Sequence, residues 1–300
     1  MGRHQDRRKM TRMGVSTAAI SSRTNARVKQ LRAAFSGNTR LSGGLVAIEG
    51  DHLLEEALRS GIVPGTIFLS ERRELPYTLP RSTEILRLTE DVFSSAVETR
   101  SPQGVAALIE PPIHKLEDIL EQPSPLVLIA AGLQDPGNLG TLVRSVEAFG
   151  AAGVLTTPGT VSVWNQKALR ASAGSVFRTP IVAATQAEVT QLQNRGITLL
   201  AAVGLQEDGV LSAHEADLSR ACAIMIGNEG SGLAPEWLAL ASARITIPCP
   251  GPVESLNAAI AGSLLLYEAS RQRAATPSAA TTAQERIPGP LRRRPTGAHR

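Results

Sequence analysis

The sequence predicts an α/β protein: a C-terminal domain on a parallel sheet, preceded by a smaller α/β domain. Three observations carry this. Apolar runs such as Leu126–Ala130 and Cys222–Ile226 lack polar alternation and are spaced by segments of helical period, the pattern of strands buried on both faces. Three of the runs lead into turns rich in Gly, Asn and Pro, where backbone groups stay free for a ligand. A break at 110–125 separates the two parts, with Glu110-Pro111-Pro112 and Pro123-Ser124-Pro125 bracketing a short acidic segment.

Taken in order, residues 1–20 form a basic arm expected to be disordered. A helix follows over 25–35, with Val28, Leu31 and Phe35 on one face, then a strand at 45–48 and a helix capped by Asp51. Strands at 67–69 and 85–88, a helix at 90–97 and a strand at 105–109 complete a domain spanning 21–110, with its own core. The linker, 111–125, has room for a helix of one or two turns. In the domain 126–273, strands are predicted at 126–130, 153–156, 181–183, 197–202, 222–226 and 244–247. Helices are predicted at 138–149, 165–173, 186–195, 235–241 and 255–271. An Arg-rich tail without periodicity occupies 274–300.

Composition narrows the function. The net charge of +4 is uneven: residues 1–13 carry five cations and one acid, and 271–300 carry seven cations and one acid. The body between them holds 19 cations against 25 anions, so the basic character lives in the ends. Basic arms suit a polyanion, and they suit a merely solubilising role equally well. Aromatics at 3% leave little material for base-stacking platforms. The two cysteines, Cys222 and Cys249, sit in or beside apolar runs and read as buried thiols. No His or Cys spacing suggests a metal, and no segment suggests a membrane span or secretory signal, so a cytoplasmic protein is expected.

The chemistry concentrates in the three turns. The first is Asp135-Pro136-Gly137-Asn138-Leu139-Gly140, leading to Arg144. Asn138 reads as a helix cap and Arg144 as either a surface cation or a guanidinium at a pocket edge, favoured by its neighbours Leu142, Val143 and Val146. The second is Gly227-Asn228-Glu229-Gly230-Ser231-Gly232, where Glu229 either caps the next turn or orients Arg144. The third runs from Ile247-Pro248 through Gly251 to Ser255-Leu256-Asn257. Ser255 is a natural N-cap, and the proline-stiffened loop is also a pre-formed polar site. Phosphate-loop, dinucleotide and nucleophile-elbow signatures are missing from the sequence.

In this order the three segments resemble the motifs of the SpoU/TrmH group of RNA ribose methyltransferases, in the SPOUT superfamily. The matches are Asn138-Leu139-Gly140 with Arg144, then Ile226 to Leu233, then Ile247-Pro248 with Ser255-Leu256-Asn257. Ala171-Ser172-Ala173-Gly174-Ser175 through Pro180 is similar to the family's middle segment. Asn25 to about Glu110 resembles the RNA substrate-binding domain often attached to such enzymes. Cys249 stands where many members carry Met, and Pro252 and Glu254 make the third loop stiffer and more acidic than usual.

The resemblance implies a trefoil knot holding S-adenosylmethionine and a homodimer with the active site at the subunit boundary. It implies methyl transfer to a ribose 2′-oxygen in structured RNA, with 23S ribosomal RNA preferred and transfer RNA second. Catalytic roles would fall on Arg144, Asn138, Glu229, Ser255 and Asn257, and cofactor contacts on Gly227, Ile247 and Leu256. The family assigns a base role to the motif-one Arg, but a guanidinium stays protonated, so stabilising the developing alkoxide is the preferred role for Arg144. A base methyltransferase of the same superfamily and a non-catalytic RNA-binding protein are the rival readings.

Overall fold

A computed structural model describes residues 19–37, 42–76, 79–204, 209–253 and 255–275. Most of the arm read at 1–20, nearly all of the tail read at 274–300, and Glu254 lie outside the described residues. Ile20 does not belong to an arm: it pairs with Leu88 at a sheet edge, and its N–H donates to the Arg87 carbonyl at 2.8 Å.

The first domain contains α1 (Ala26–Phe35), β1 (Val46–Glu49), α2 (Asp51–Arg59), β2 (Thr66–Ser70), β3 (Glu84–Leu88), α3 (Glu90–Ala96) and β4 (Val105–Ile109). Its four strands run in the order β1-β4-β2-β3, a mixed sheet in which β4 is antiparallel to both neighbours. α1 starts where expected, because the Asn25 side chain accepts the Arg27 N–H at 2.8 Å. Asp51 is the first residue of α2 rather than its cap. Its carboxylate is turned instead to Arg73.

The linker carries α4 (Leu116–Leu120), and the second domain follows with β5 (Leu126–Ala130), α5 (Pro136–Ala148), β6 (Gly153–Thr156) and α6 (Gln166–Ser172). Then come β7 (Ile181–Ala183), α7 (Gln186–Asn194), β8 (Thr198–Ala202), β9 (Leu211–Ser212), β10 (Cys222–Ile226), α8 (Pro235–Leu238), β11 (Ala243–Thr246) and α9 (Ala258–Ala275). All pairings in the order β7-β6-β5-β10-β8-β11-β9 are parallel. The expected parallel sheet is therefore present, with apolar cores on both its faces. The two-residue β9 is an element too short for its sequence to announce.

The first domain has a core of its own on one face of its sheet, where Val28, Leu31, Phe35, Phe68, Phe93 and Leu108 cluster, but its other face is shared. Ile48, Leu54, Ile67 and Val105 belong to the same hydrophobic cluster as Leu169, Val176 and Phe177 of the second domain. Polar contacts reinforce that seam. The buried Gln166 amide donates to the Ala47 carbonyl at 2.8 Å. Arg178 donates to Glu56 at 2.8 Å, to the Ser60 hydroxyl at 3.1 Å and to Glu147 on α5 at 2.5 Å. The hydrogen bonds to Glu147 and then Glu56 hold the Arg178 guanidinium in its charged form more firmly than usual.

The last helix is fastened at its far end as well. Arg273 donates to the carbonyls of Leu218 at 3.0 Å and Ser124 at 2.6 Å, and also to that of Arg220. Those carbonyls sit at the entrances to β5 and β10, so α9 is tied to the amino-terminal pole of the sheet.

Candidate functional site

The first turn of α5 is organised by Asp135, which the sequence reading passed over. Its carboxylate accepts the Asn138 N–H at 2.8 Å, and Pro136 occupies the first helical turn. Asp135, not Asn138, is thus the cap, and this frees the Asn138 side chain. The hydrogen bond from Lys167, at 2.5 Å, then the Asn138 N–H, hold the Asp135 carboxyl below the usual range.

Freed in this way, Asn138 joins all three turns. Its amide N–H donates to Glu229 at 2.9 Å, while its carbonyl oxygen accepts from the Asn257 amide at 3.0 Å. Glu229 also accepts the backbone N–H of Gln134 at 3.3 Å and of Asp135 at 3.2 Å. Desolvation raises the Glu229 pKa, but the bonds from Asn138 and the backbone outweigh it and the net shift is downward. Glu229 is committed to Asn138 and not to Arg144, which corrects the orienting role read for it.

Two further expectations change. The last helix starts at Ala258, and the Asn257 side chain accepts the N–H groups of Ala259 at 3.0 Å and Ile260 at 3.2 Å. Asn257 therefore caps the helix, and Ser255 does not. Ser255 lies two residues earlier, exposed at the wall of a cavity. Arg144 sits on the outer face of α5, because Leu142, Val143 and Val146 are the face turned to the core. It is exposed, without a hydrogen-bond or ion-pair partner among the described residues.

Glycines set the close approaches. A Cβ at Gly140 would meet the Ala168 carbonyl oxygen at 2.3 Å, so this motif glycine exists to seat α5 against α6. A Cβ at Gly227 would meet the backbone of Gly232 at 2.3 Å, so Gly227 lets the second turn fold back on itself. Asn228, another residue the sequence reading left without a role, clamps that turn. Its side-chain oxygen accepts the N–H groups of Gly230 at 2.9 Å and Ser231 at 3.1 Å, and its amide donates to the Gly132 carbonyl at 3.1 Å. Its position between two motif residues was the available signal.

Beside this cluster, at the carboxyl ends of β8, β10 and β11, lies a cavity of about 430 Å³. Gly227, Ile247 and Leu256 all line it, together with Ser231, Ser255 and Glu229. Its volume falls in the range of small-molecule sites, and its position is where parallel α/β sheets bind ligands. Apolar walls from Ile247 and Leu256, hydroxyls from Ser231 and Ser255, and the strand-end backbone at Gly227 fit a nucleoside. Among the described residues, no group of three His, Cys, Asp or Glu is placed to hold a metal ion. None of the described helices is long and apolar enough to cross a membrane.

Comparison with known proteins agrees with this geometry. Residues 125–267 match the SpoU rRNA Methylase family, and residues 25–107 match the MRM3-like substrate binding domain. The chain is 33% identical to the Bacillus subtilis 23S rRNA (guanosine(2553)-2′-O)-methyltransferase RlmP, over 83% of this chain and 97% of that protein. It is 31% identical to a Streptomyces viridochromogenes 23S rRNA (uridine(2479)-2′-O)-methyltransferase, over 87% of this chain and 95% of the other. Among solved structures, the SpoU methyltransferase AviRb from Streptomyces viridochromogenes in complex with AdoMet superposes with a TM-score of 0.75. That match is 28% identical and covers 83% of this chain and 98% of AviRb. A chain with these motifs, this parallel sheet and these relatives belongs to the SpoU rRNA methylase family.

Proposed function

We propose that this chain transfers a methyl group from S-adenosylmethionine to a ribose 2′-hydroxyl of large-subunit ribosomal RNA. The observation that carries the reading is the bonded set Asn138–Glu229–Asn257, which joins all three turns beside the 430 Å³ cavity. Gly227, Ile247 and Leu256 would hold the adenosine part, through backbone groups and apolar walls. Bound there, the cofactor supplies an electrophilic methyl group on sulfur.

The chain's own task is alignment and charge stabilisation. Glu229 and Asn257 fix both ends of the Asn138 amide, so Asn138 is set to orient the acceptor ribose. Arg144, permanently charged and planar, stabilises the developing alkoxide and anchors a neighbouring phosphate. Ser255 belongs with the cavity wall and contacts the cofactor side.

A homodimer completes the site. Helices α5 and α9 run side by side in the same direction, with Asn138 on Asn257, Ser145 on Ser263 at 2.7 Å and Phe149 against Tyr267 at 5.8 Å. Their outer faces expose Arg144 next to an apolar stripe of Ile260, Leu264 and Tyr267, 43% to 54% exposed and at helical spacing. A second copy seated on this stripe would enclose Arg144. The first domain brings the RNA, with the exposed cations Arg27, Lys29 and Arg32 of α1 as its basic face. The work is done in the cytoplasm, where such RNA is found.

The test is methyl transfer by the purified chain to deproteinised 23S ribosomal RNA and to bulk transfer RNA, followed by mapping of 2′-O-methyl nucleotides. One modified nucleotide in 23S RNA is expected. Modification confined to transfer RNA would move the substrate, and methyl found on a base or nowhere would sink the reading.

A further inference from the structure

Among the cavities that the reading above leaves unused, one holds about 230 Å³ where the linker packs on the second domain, at β6 and β7. Its walls include Pro112 and His114 of the linker, Thr156, and Ser162 and Trp164 of the loop after β6. This is smaller than an ordinary small-molecule site, and suits a single planar ring system.

The walls have the chemistry of a base pocket. Trp164 is half-buried and stacks on Phe177 with centroids 6.4 Å apart, which stiffens the indole from behind. The His114 Nε2 is shielded from solvent and has no hydrogen-bond partner among the described residues, an arrangement that costs stability unless something meets it. A turn of that ring toward the cavity would bring it to a base edge. Its other nitrogen is 3.8 Å from the Asp118 carboxylate, so the ring is only loosely held. Ile113, between the two linker residues of the wall, is 90% exposed, an apolar side chain with nothing covering it.

The pocket is also coupled to the methyl-transfer site. Its loop is bonded to the turn that leads into Asp135 and Asn138: the Val161 N–H donates to the Leu133 carbonyl at 2.8 Å, and the Gly132 N–H donates to Thr160 at 3.0 Å. Asn228 holds the Gly132 carbonyl from the other side. The loop that walls this pocket is therefore bonded directly to the turn that sets Asn138.

We infer that this cavity takes a nucleobase of the substrate RNA, flanking the methylated nucleotide and stacked against Trp164. The inference rests on the RNA methyltransferase reading. Unstacked bases held on aromatic side chains are the usual means of reading structured RNA, and one pocket suffices in a chain poor in aromatics.

Ultraviolet crosslinking of the full chain to deproteinised 23S ribosomal RNA, followed by peptide mass spectrometry, tests it. A nucleotide adduct is expected on residues 112–114 or 156–164, and crosslinks found only elsewhere would overturn the pocket. Trp164→Ala should raise the KM for RNA roughly ten- to hundredfold, the loss typical of one stacking aromatic, with cofactor affinity unchanged and Trp164→Phe rescuing most of it. Should Trp164→Ala fail to fold, Ser162→Trp, at an exposed position, blocks the mouth and should raise the KM similarly. Wild-type KM values in the folded variants refute the proposal. Adenosine monophosphate that labels Trp164 while RNA does not would make this a free-nucleotide site and overturn it. If the wild-type chain methylates no RNA at all, the parent reading fails with it; if it methylates RNA without contact at Trp164, only the pocket fails.

Discussion

The two sides of the site differ in how much of the chain's own structure is committed to them. On the proposed cofactor side, Asn138 bonds both Glu229 and Asn257, and the cavity walls come from the loops after β8, β10 and β11 and from α9. On the proposed RNA side, Arg144 projects from the third turn of α5, with no hydrogen-bond or ion-pair partner among the described residues. The same helix therefore carries a finished first turn and an open third one. On the function proposed above, this means a cofactor side pre-organised within one chain and an RNA side left for its binding partner to complete.

Arg144→Ala should break the comparison most sharply. Single-turnover methylation at saturating RNA and cofactor should fall about a hundredfold to a thousandfold, the usual cost of losing a positioned charged donor. Arg144→Lys should recover little, because a point charge cannot reproduce the planar fork. Cofactor affinity should not change. Near-normal turnover would reduce Arg144 to an RNA-affinity contact.

Glu229→Gln attacks the finished side. Gln keeps the shape but sets an NH₂ group against donors that now face a carboxylate, so turnover should drop about tenfold, as for one charged hydrogen-bond acceptor. The pH dependence has a fixed sign. Glu229 has a folded pKa below its ordinary 4.5, so its contribution to stability is complete above that value and fades as pH falls through the lowered one. Thermal melts below pH 4.5 should therefore show a shallower acid-side loss in Glu229→Gln than in the parent. Parallel curves would mean that the carboxylate is not held as described.

Leu256→Ala tests whether the cofactor side stands alone. Trimming a half-buried apolar wall should weaken S-adenosylmethionine about tenfold in calorimetry, without moving the KM for RNA. Gly227 is a poor probe for this purpose, since any side chain there collides with the turn itself. The smallest effect belongs to Lys167→Met. Its pair with Asp135 is exposed, worth less than about 1 kcal/mol, so melting should barely change while turnover falls a few-fold. A large melting shift would mean that Lys167 is structural.

The sheet was legible because each central strand is an uninterrupted apolar run, as Leu126–Ala130 and Cys222–Ile226 illustrate. The eight site residues were named from the three motifs, and the structure gathers all but Arg144 around the cavity or the Asn138 set. Partners were harder to read. Asp135 before Pro136 carries the ordinary sign of a capped helix, yet motif boundaries drew attention to Asn138. Asn228 and Lys167 act through bonds to loops whose course only the folded backbone determines. The shared core was illegible for a related reason. Proline clusters mark a change of direction, and cannot say whether apolar faces on either side meet.

The fastening of α9 has a practical geometric consequence. The helix runs for 18 residues from Ala258 beside Asn138 to the Arg273 clamp, a rise of about 27 Å. Residue 275 consequently lies at the pole of the sheet opposite the Asn138 set and the cavity. A fluorophore or affinity handle attached there would leave the cofactor mouth clear.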